Sequence, residues 1–303
     1  SRQLDEQSLL KVGLRAEQTH LYKTDLLDGS IIEQRYLNWF PSFFLSREIT
    51  EQTTLSLSYS KRLRRPSFNQ LNDNIFKLND FRFNLGNPNL TPEFRHRFEL
   101  AANVRKHQFA LFYNRVADAI NGIYFLEGDV AFYQKFNSGS QTEYGLEYNR
   151  AADVTPWWFL RAVGRLFSRQ FITDEGETTF QQTTVRLRLT NNFKLGERTR
   201  LEVRGTWYSP QSDAFFIREP LRELDAMLQR QLLNKKLVIR FHVRDLLGTL
   251  RFANRRPFET FATTSEVWPI TRTYNLRLAY TFTSKQEVST RKNRSRNEAG
   301  RRL

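Results

Sequence analysis

The sequence predicts an all-β fold, a transmembrane antiparallel β-barrel of about twelve strands over residues 1–283. Three observations support this prediction. Apolar and polar residues alternate with a period of two along most of the chain. The connections between the alternating segments are short and long in turn. No apolar run reaches the roughly 18 residues that a membrane-spanning helix needs.

The alternation is clear in residues 200–207, where odd positions from Leu201 are apolar or glycine and even positions from Arg200 are charged or polar. Such a strand has one apolar face and one polar face. The segment 108–116 is apolar on both faces, so its orientation stays open. The predicted strands lie near 8–20, 35–49, 53–63, 91–104, 108–121, 130–151, 156–171, 179–195, 199–209, 221–233, 237–245 and 271–282.

Short and long connections alternate strictly, which places all tight turns at one end of the sheet. Outer-membrane barrels have this asymmetry, with periplasmic turns and extracellular loops. The tight turns are Thr50–Gln52, Arg105–His107, Asp153–Thr155, Gly196–Arg198 and Asn234–Lys236. The long loops are 21–34, 64–90, 122–129, 172–178, 210–220 and 246–270.

The net charge of +15 allows two interpretations, nucleic-acid binding or a basic barrel lumen. On strands of clear phase, the basic residues lie on the polar face. Arginine facing lipid costs about 2–4 kcal/mol at the bilayer midplane, so this face is predicted to be the lumen. The residues predicted to face a ligand or a plug are Arg95, Arg97, Glu99, Arg186, Arg188, Arg200, Glu202, Arg204, Arg240 and Arg277.

The same face carries Lys11, Arg15, Arg62 and Arg244 but only one further carboxylate, Glu17. Most of these arginines are therefore expected to lack a partner within the chain. A solvated pore wall with cross-strand ion pairs is one interpretation. The other is a wall that holds an acidic plug or guides an anionic ligand.

Other chemistry is not indicated. The four histidines have no metal-ligand spacing, there is no cysteine, and no phosphate-binding or dinucleotide-binding glycine motif occurs. We therefore expect no enzyme activity, no cofactor and no metal. His96 interrupts an apolar face and is expected near a membrane interface. Aromatic girdles at the two interfaces are predicted from Trp39, Phe40, Phe43, Trp157, Trp158, Trp207, Trp268 and Tyr280.

The last residues, 284–303, are polar, basic and free of aromatic side chains. This composition predicts a disordered periplasmic tail.

Residues 61–93 read KRLRRPSFNQLNDNIFKLNDFRFNLGNPNLTPE, which resembles a segment of TonB-dependent receptors, especially their outer membrane β-barrel family branch. Weaker similarities follow in order at 40–42, 144–147, 243–247 and 297–301. The matching residues in the first segment are Arg62, Arg65, Pro66, Gly86, Asn87, Pro88, Asn89, Leu90, Pro92 and Glu93.

The resemblance implies the C-terminal part of a plugged barrel of roughly 22 strands in the bacterial outer membrane. It implies as partners outer-membrane lipid, an N-terminal plug with the remaining strands, the TonB complex and a surface lipoprotein. We expect several hundred further N-terminal residues in the complete protein. Ligand contacts are expected from the loops 64–90, 210–220 and 246–270. In the first loop the candidates are Arg65, Asn69, Gln70, Asn72, Asn79 and Asp80.

The function implied is uptake of a bulky nutrient, such as a glycan, a peptide or a metal chelate. The alternative is a structural barrel subunit of an envelope or secretion complex. A soluble basic β protein that binds nucleic acid is the third hypothesis. Loss of growth on one nutrient, loss of a surface assembly, or salt-dependent DNA binding without detergent would distinguish them.

Overall fold

The computed structural model describes residues 2–24, 29, 31–72, 75–172, 178–213, 216–256, 263–267 and 269–282. No helix in these ranges is long and apolar enough to cross a membrane. In chain order the elements are β1 (Arg2–Asp5), β2 (Ser8–Thr24), β3 (Ile31–Thr50), β4 (Thr53–Arg64), α1 (Phe68–Leu71), β5 (Ile75–Asn79), β6 (Arg82–Leu85), β7 (Glu93–Val104), β8 (His107–Ala117), β9 (Ile120–Glu127), β10 (Val130–Asn137), β11 (Ser140–Thr155), β12 (Trp158–Ile172), β13 (Thr178–Lys194), β14 (Thr199–Tyr208), β15 (Gln211–Asp213), β16 (Phe216–Arg218), β17 (Leu221–Leu232), β18 (Leu237–Arg244), β19 (Phe252–Arg256), β20 (Thr263–Val267) and β21 (Thr273–Tyr280).

Thirteen strands form one large sheet in the order β1-β2-β3-β4-β7-β8-β11-β12-β13-β14-β17-β18-β21. Every pairing within it is antiparallel. The twelve predicted strands are confirmed as β2 through β21 of this sheet, and β1 adds a short edge. The sheet is open in the described part of the chain, with β1 and β21 as its two edges.

The other eight strands form two smaller sheets at the loop end of the large one, which we call the loop sheets. The first has the order β5-β6-β10-β9 and the second β15-β16-β19-β20. Segments predicted as loops thus contain strands of their own. Residues 122–129, predicted as a loop, belong mostly to β9, so that prediction is wrong.

Two predicted strands, 108–121 and 130–151, are each divided into a sheet strand and a loop-sheet strand. The breaks lie at Asp118 and Gly139, which both take positive φ, 53° and 62°. Two backbone hydrogen bonds join the broken strands, from Ala119 to Gly139 and from Ser138 to Ala119. The β8–β11 pair therefore bends at these residues, and its continuation, the β9–β10 pair, leaves the large sheet.

Tight turns lie at the other end of the large sheet, as predicted, but the turn between β11 and β12 falls at 156–157, and the residues predicted for it, Asp153–Thr155, belong to β11. The tight turns join β3 to β4, β7 to β8, β11 to β12, β13 to β14 and β17 to β18. Positive φ angles at Arg105 (55°), Gly196 (81°) and Asn234 (52°) give the backbone the reversal that such turns need.

A row of leucines crosses five adjacent strands on one face of the large sheet. Its members are direct cross-strand partners: Leu57, Leu100, Leu111, Leu146 and Leu166. Leu111 is 58% exposed, whereas its chain neighbour Phe112 is 4% exposed on the opposite face. Side chains spread apart on a convex face and converge on a concave one, so the leucine face is convex. This also fixes the orientation of 108–116.

Among the residues predicted for the aromatic girdles, Phe40 lies on the wrong face of the sheet. Phe40 is paired with Arg15 across β2 and β3, on the arginine face, and it is buried. The Arg15 guanidinium lies 5.0 Å from the Phe40 ring centroid. Trp39, the chain neighbour of Phe40, points to the convex face instead. Trp268 and the tail 284–303 lie outside the described residues.

The segment 86–93 fastens the first loop sheet to the large sheet. A Cβ on Gly86 would lie 1.4 Å from the Asn72 carbonyl oxygen, so only glycine fits there. The Asn87 side chain donates to the Lys135 carbonyl at 2.8 Å, which joins the segment to β10. Leu90 is fully buried and packs with Leu71 of α1. These contacts explain why this motif has its particular residues.

Asp245 holds the chain that follows β18 in a similar way. Its buried carboxylate accepts hydrogen bonds from the backbone N–H groups of Thr249 and Leu250, at 2.9 and 3.2 Å, and from the Thr271 hydroxyl. Burial raises the pKa of Asp245, but these hydrogen bonds and the Arg272 charge outweigh it. The net pKa lies below the usual value of 3.8.

The faces can be tested with Leu111→Arg in the complete protein. This change places a cation in the middle of the lipid-facing row and should destabilise the folded barrel by about 2–4 kcal/mol. Gln108→Arg is the matched control, because Gln108 in the same strand faces the arginine side. We expect less folded, heat-modifiable protein in outer membranes for Leu111→Arg alone. Equal losses for both variants would mean that the assigned faces are wrong.

Asp245 can be tested through the pH dependence of loop protection. Because its folded pKa is depressed, its carboxylate stabilises the loop above the unfolded pKa of about 4 and stops doing so as pH falls through the folded pKa. Asp245→Asn should speed hydrogen exchange at Thr249 and Leu250 by about tenfold or more at neutral pH. It should also abolish the acid-induced loss of protection. Unchanged exchange rates would contradict this role.

Candidate functional site

The ten residues predicted to face a ligand or plug all lie on the concave face of the large sheet. Cross-strand register shows this directly: Arg186 lies opposite Arg165, Glu202 opposite Asn192, and Arg240 opposite Arg277. The remaining six, on β7, β13 and β14, share the same phase. The concave face is therefore the polar wall of the sheet.

Two adjoining cavities open on this wall near the loop end, with volumes of 560 and 480 Å³. Both are lined by Arg95, Val116, Gln141 and Arg169, so we treat them as one site, the arginine cavity. Strands of the large sheet provide most of the lining, and residues of the two loop sheets complete it at the loop end. Nine basic residues line it: Arg62, Arg64, Arg95, Arg97, Lys135, Arg165, Arg169, Arg186 and Arg218.

Only two carboxylates, Glu93 and Glu143, line the arginine cavity in the described part of the chain. Glu93 accepts from the Arg64 guanidinium at 2.8 Å and from the Ile120 backbone N–H at 3.1 Å. It thereby ties the end of β4 to the start of β9. The cavity wall keeps a large excess of positive charge, which creates an attractive potential for anions.

Glu143 is the buried centre of the cavity floor. Its two oxygens bind the Arg165 and Arg169 guanidinium groups, each at 2.7 Å. The Asn114 amide donates to it at 3.2 Å. Arg165 also reaches Glu147 at 3.1 Å. A carboxylate shared by two arginines lowers the repulsion between them.

Aromatic rings support the same arginines from below. The Arg165 guanidinium lies 4.4 Å from the Phe112 centroid and 4.7 Å from the Phe167 centroid. The Arg186 guanidinium lies 5.2 Å from Phe167, and its amino group donates to Gln211. Ring faces attract cations while adding no compensating charge. The stacking therefore holds the arginines in place without neutralising their charge.

Two buried polar atoms of the cavity lining, Nε of Arg186 and the hydroxyl of Ser212, form neither a hydrogen bond nor an ion pair within the described residues. Ser212 is only 4% exposed. An unpaired buried donor costs about 1–3 kcal/mol, so both groups lack the hydrogen bond that burial normally requires.

The sequence analysis missed Arg165, Arg169 and Glu143. A signal was present, because Arg161, Arg165 and Arg169 all have the same parity in the segment 156–171. Val163 and Phe167 interrupt that face and hide the pattern. They are not lipid-facing; Phe167 is buried beneath the arginines.

The count of carboxylates on this face was also too low. Register adds at least five: Glu93, Glu143, Glu147, Glu223 and Asp225. Five of the twelve basic residues counted from the sequence form ion pairs, Arg15, Arg95, Arg97, Arg204 and Arg244, so most of the twelve lack an ion pair, as expected. The other seven form no ion pair within the described residues.

The first-loop candidates lie at the loop end, and several bind the chain itself. Arg65 donates to Glu17 at 2.8 Å. Gln70 accepts from the Ser67 backbone N–H at the start of α1. Asn69 is exposed on α1 and Asn72 caps its C-terminus, while Asn79 and Asp80 are exposed at the β5–β6 turn. In the described ranges, no group of three or more metal-binding side chains occurs.

A model of the outer membrane protein beta-barrel family matches residues 1–281. No curated protein sequence matches the chain. The siderophore receptor PirA from Pseudomonas aeruginosa is similar, with TM-score 0.62 and 16% identity over 92% of this chain and 46% of its own. Also similar are the copper transporter OprC (0.61, 13%, 92% and 46%) and the siderophore receptor PiuA from Acinetobacter baumannii (0.60, 12%, 90% and 41%). These likenesses show the fold, and the chain spans less than half of each structure.

The role of Glu143 can be tested with Glu143→Gln. The change leaves Arg165 and Arg169 close together without their shared anion, which should destabilise the fold by about 3 kcal/mol. Glu202→Gln removes a more exposed ion pair with Arg204 and should cost about 1 kcal/mol or less. Denaturant unfolding of the complete protein measures both. A larger effect at Glu202 would contradict the central position of Glu143.

Proposed function

The chain belongs to the outer membrane protein β-barrel family, and on that premise we propose that it forms part of a receptor-like transporter barrel that imports a bulky nutrient. Its place is the bacterial outer membrane. The observation that supports import most is the arginine cavity, which lies at the loop end of the concave wall and combines basic side chains with two unpaired donors.

The charge of the cavity suggests what the nutrient carries. Guanidinium groups bind carboxylates and phosphates through paired hydrogen bonds. A nutrient with several such groups, for example a metal chelate, an acidic peptide or a phosphorylated glycan, matches the wall. We propose that Arg186 and Ser212 contact it directly, while Arg165 and Arg169 keep their positions through Glu143.

The proposal includes partners. The arginines nearer the tight turns, such as Arg188, Arg200 and Arg277, would face an acidic plug that closes the barrel. The plug and the further strands would come from parts of the protein outside this sequence. The TonB complex would drive uptake, and a surface lipoprotein would assist at the loops. The alternative, a structural barrel subunit, leaves the donors of the arginine cavity without a purpose.

Import can be tested with a deletion strain and the variant Arg186→Gln in the complete protein. Deletion should abolish growth on one nutrient from a panel of ferric chelates, acidic peptides and phosphorylated glycans. For that nutrient, Arg186→Gln should raise the half-saturating concentration about tenfold, because one charge-assisted contact is lost.

Arg198→Gln, in a tight turn at the opposite end of the sheet, removes the same charge and should leave uptake unchanged. If deletion instead removes a surface assembly and no nutrient is affected, the structural-subunit hypothesis replaces this proposal.

A further inference from the structure

Three basic side chains stand side by side on the convex face, where lipid is expected. Lys61 of β4 is the direct partner of His96 on β7, and His96 is the direct partner of Arg115 on β8. We call this set the outer basic row. Charged side chains are unexpected here, because the neighbouring rows on this face consist of leucine and aromatic residues.

No anion within the described residues pairs with Lys61 or Arg115 of the outer basic row. The Lys61 ammonium and the Arg115 guanidinium belong to strands on either side of His96, about 10 Å apart by strand spacing, and like charges repel more strongly beside lipid than in water. In the part of the chain that the structure describes, neither Lys61 nor Arg115 forms an ion pair. The Lys61 ammonium lies 4.7 Å from the Phe94 ring centroid. The next partner along the row, Thr142, is neutral.

The position of the row along the strands identifies its surroundings. Directly towards the tight turns lies an aromatic row, formed by the successive partners Tyr59, Phe98, Tyr113 and Tyr144. The leucine row follows below it. Aromatic rings collect where hydrocarbon meets headgroups, so the outer basic row lies at headgroup level.

The distance from the outer basic row to the polar row at the tight-turn end supports this position. At the tight-turn end of the convex face, His107 and Arg150 are partners, in the same row as Thr53. Thr53 and Lys61 are eight positions apart on β4, about 27 Å along a strand. With a tilt of about 40°, the belt spans roughly 20 Å along the bilayer normal, close to the known apolar band of about 25 Å.

His96 is held in place for a role at this level. Its Nδ1 is 3.0 Å from the Tyr59 hydroxyl, which leaves Nε2 available for another hydrogen-bond partner. Strand spacing places the three groups about 5 Å apart, a row roughly 10 Å long. Such a row matches the phosphate groups of a lipid headgroup, which bring the missing negative charge and many acceptor oxygens.

We propose that Lys61, His96 and Arg115 form a binding site for the phosphate groups of a lipid in the outer leaflet of the outer membrane. The site is on the opposite face of the sheet from the arginine cavity and does not depend on the nutrient. It would anchor β4, β7 and β8 at a fixed height in the bilayer, next to the strand ends that hold the first loop sheet.

The test uses the complete protein, purified and freed of lipid in detergent, with bis-phosphorylated lipid A and the same lipid without phosphates as probes. The wild type should bind the phosphorylated form at least about tenfold more tightly. The double variant Lys61→Gln/Arg115→Gln should lose that preference. Arg150→Gln, with the same kind of charge change at the opposite interface, should keep it.

The outcomes separate clearly. Equal binding of both lipids by the wild type, or an unchanged preference in the double variant, would overturn the proposal. Competition by millimolar inorganic phosphate alone would mean that the site takes free phosphate, which would also overturn it. Thermal unfolding without lipid checks that the variants fold. If the double variant does not, Arg115→Gln alone, with its exposed side chain, should weaken binding of the phosphorylated lipid about threefold or more.

Discussion

Each strand of the large sheet places successive side chains on opposite faces, and each backbone group of an inner strand finds its partner on the strand beside it. A β-strand that lies between lipid and an aqueous or protein-filled interior needs this arrangement, because lipid offers no hydrogen bonds to a backbone. The leucine row and the arginine wall are the two results of that single alternation. At Leu111 and Phe112, two adjacent residues lie in different environments for this reason alone. The site, the loop sheets and the outer basic row all depend on the phase that it sets.

The concave wall carries many cations on one surface, so their mutual repulsion has to be reduced. Glu143 binds two guanidinium groups. The rings of Phe112 and Phe167 support four, those of Arg97, Arg165, Arg169 and Arg186. Rings hold cations without neutralising them, whereas carboxylates neutralise them. The balance of the two leaves a cavity that is well ordered and still positively charged. Within the described residues, no carboxylate offsets the positive charge of the outer basic row. That row therefore points to a partner outside the protein.

The sequence was sufficient for features that repeat and insufficient for features that depend on distant contacts. Alternation and turn length correctly predicted twelve strands and the faces of all ten wall residues, because both are local properties. The breaks at Asp118 and Gly139 were missed, since they depend on hydrogen bonds between two segments twenty residues apart. Phe40 was assigned to the lipid girdle because its type fits there, but it supports Arg15 on the concave wall. Arg165 and Arg169 were missed because an inward-facing phenylalanine between them looked like part of an apolar face. The same mixture of aromatic and basic residues is what makes the arginine cavity.

The central claim is that the arginine face encloses the interior of an outer-membrane barrel while the leucine face meets lipid. A density map of the complete protein in a lipid nanodisc tests it most directly. We expect the β1 and β21 edges to pair with strands from outside this sequence, the arginine cavity to open to the interior below the loop sheets, and the leucine row to lie at the centre of the lipid belt. A map in which β1 pairs directly with β21, or in which the arginine wall faces lipid, would contradict the account.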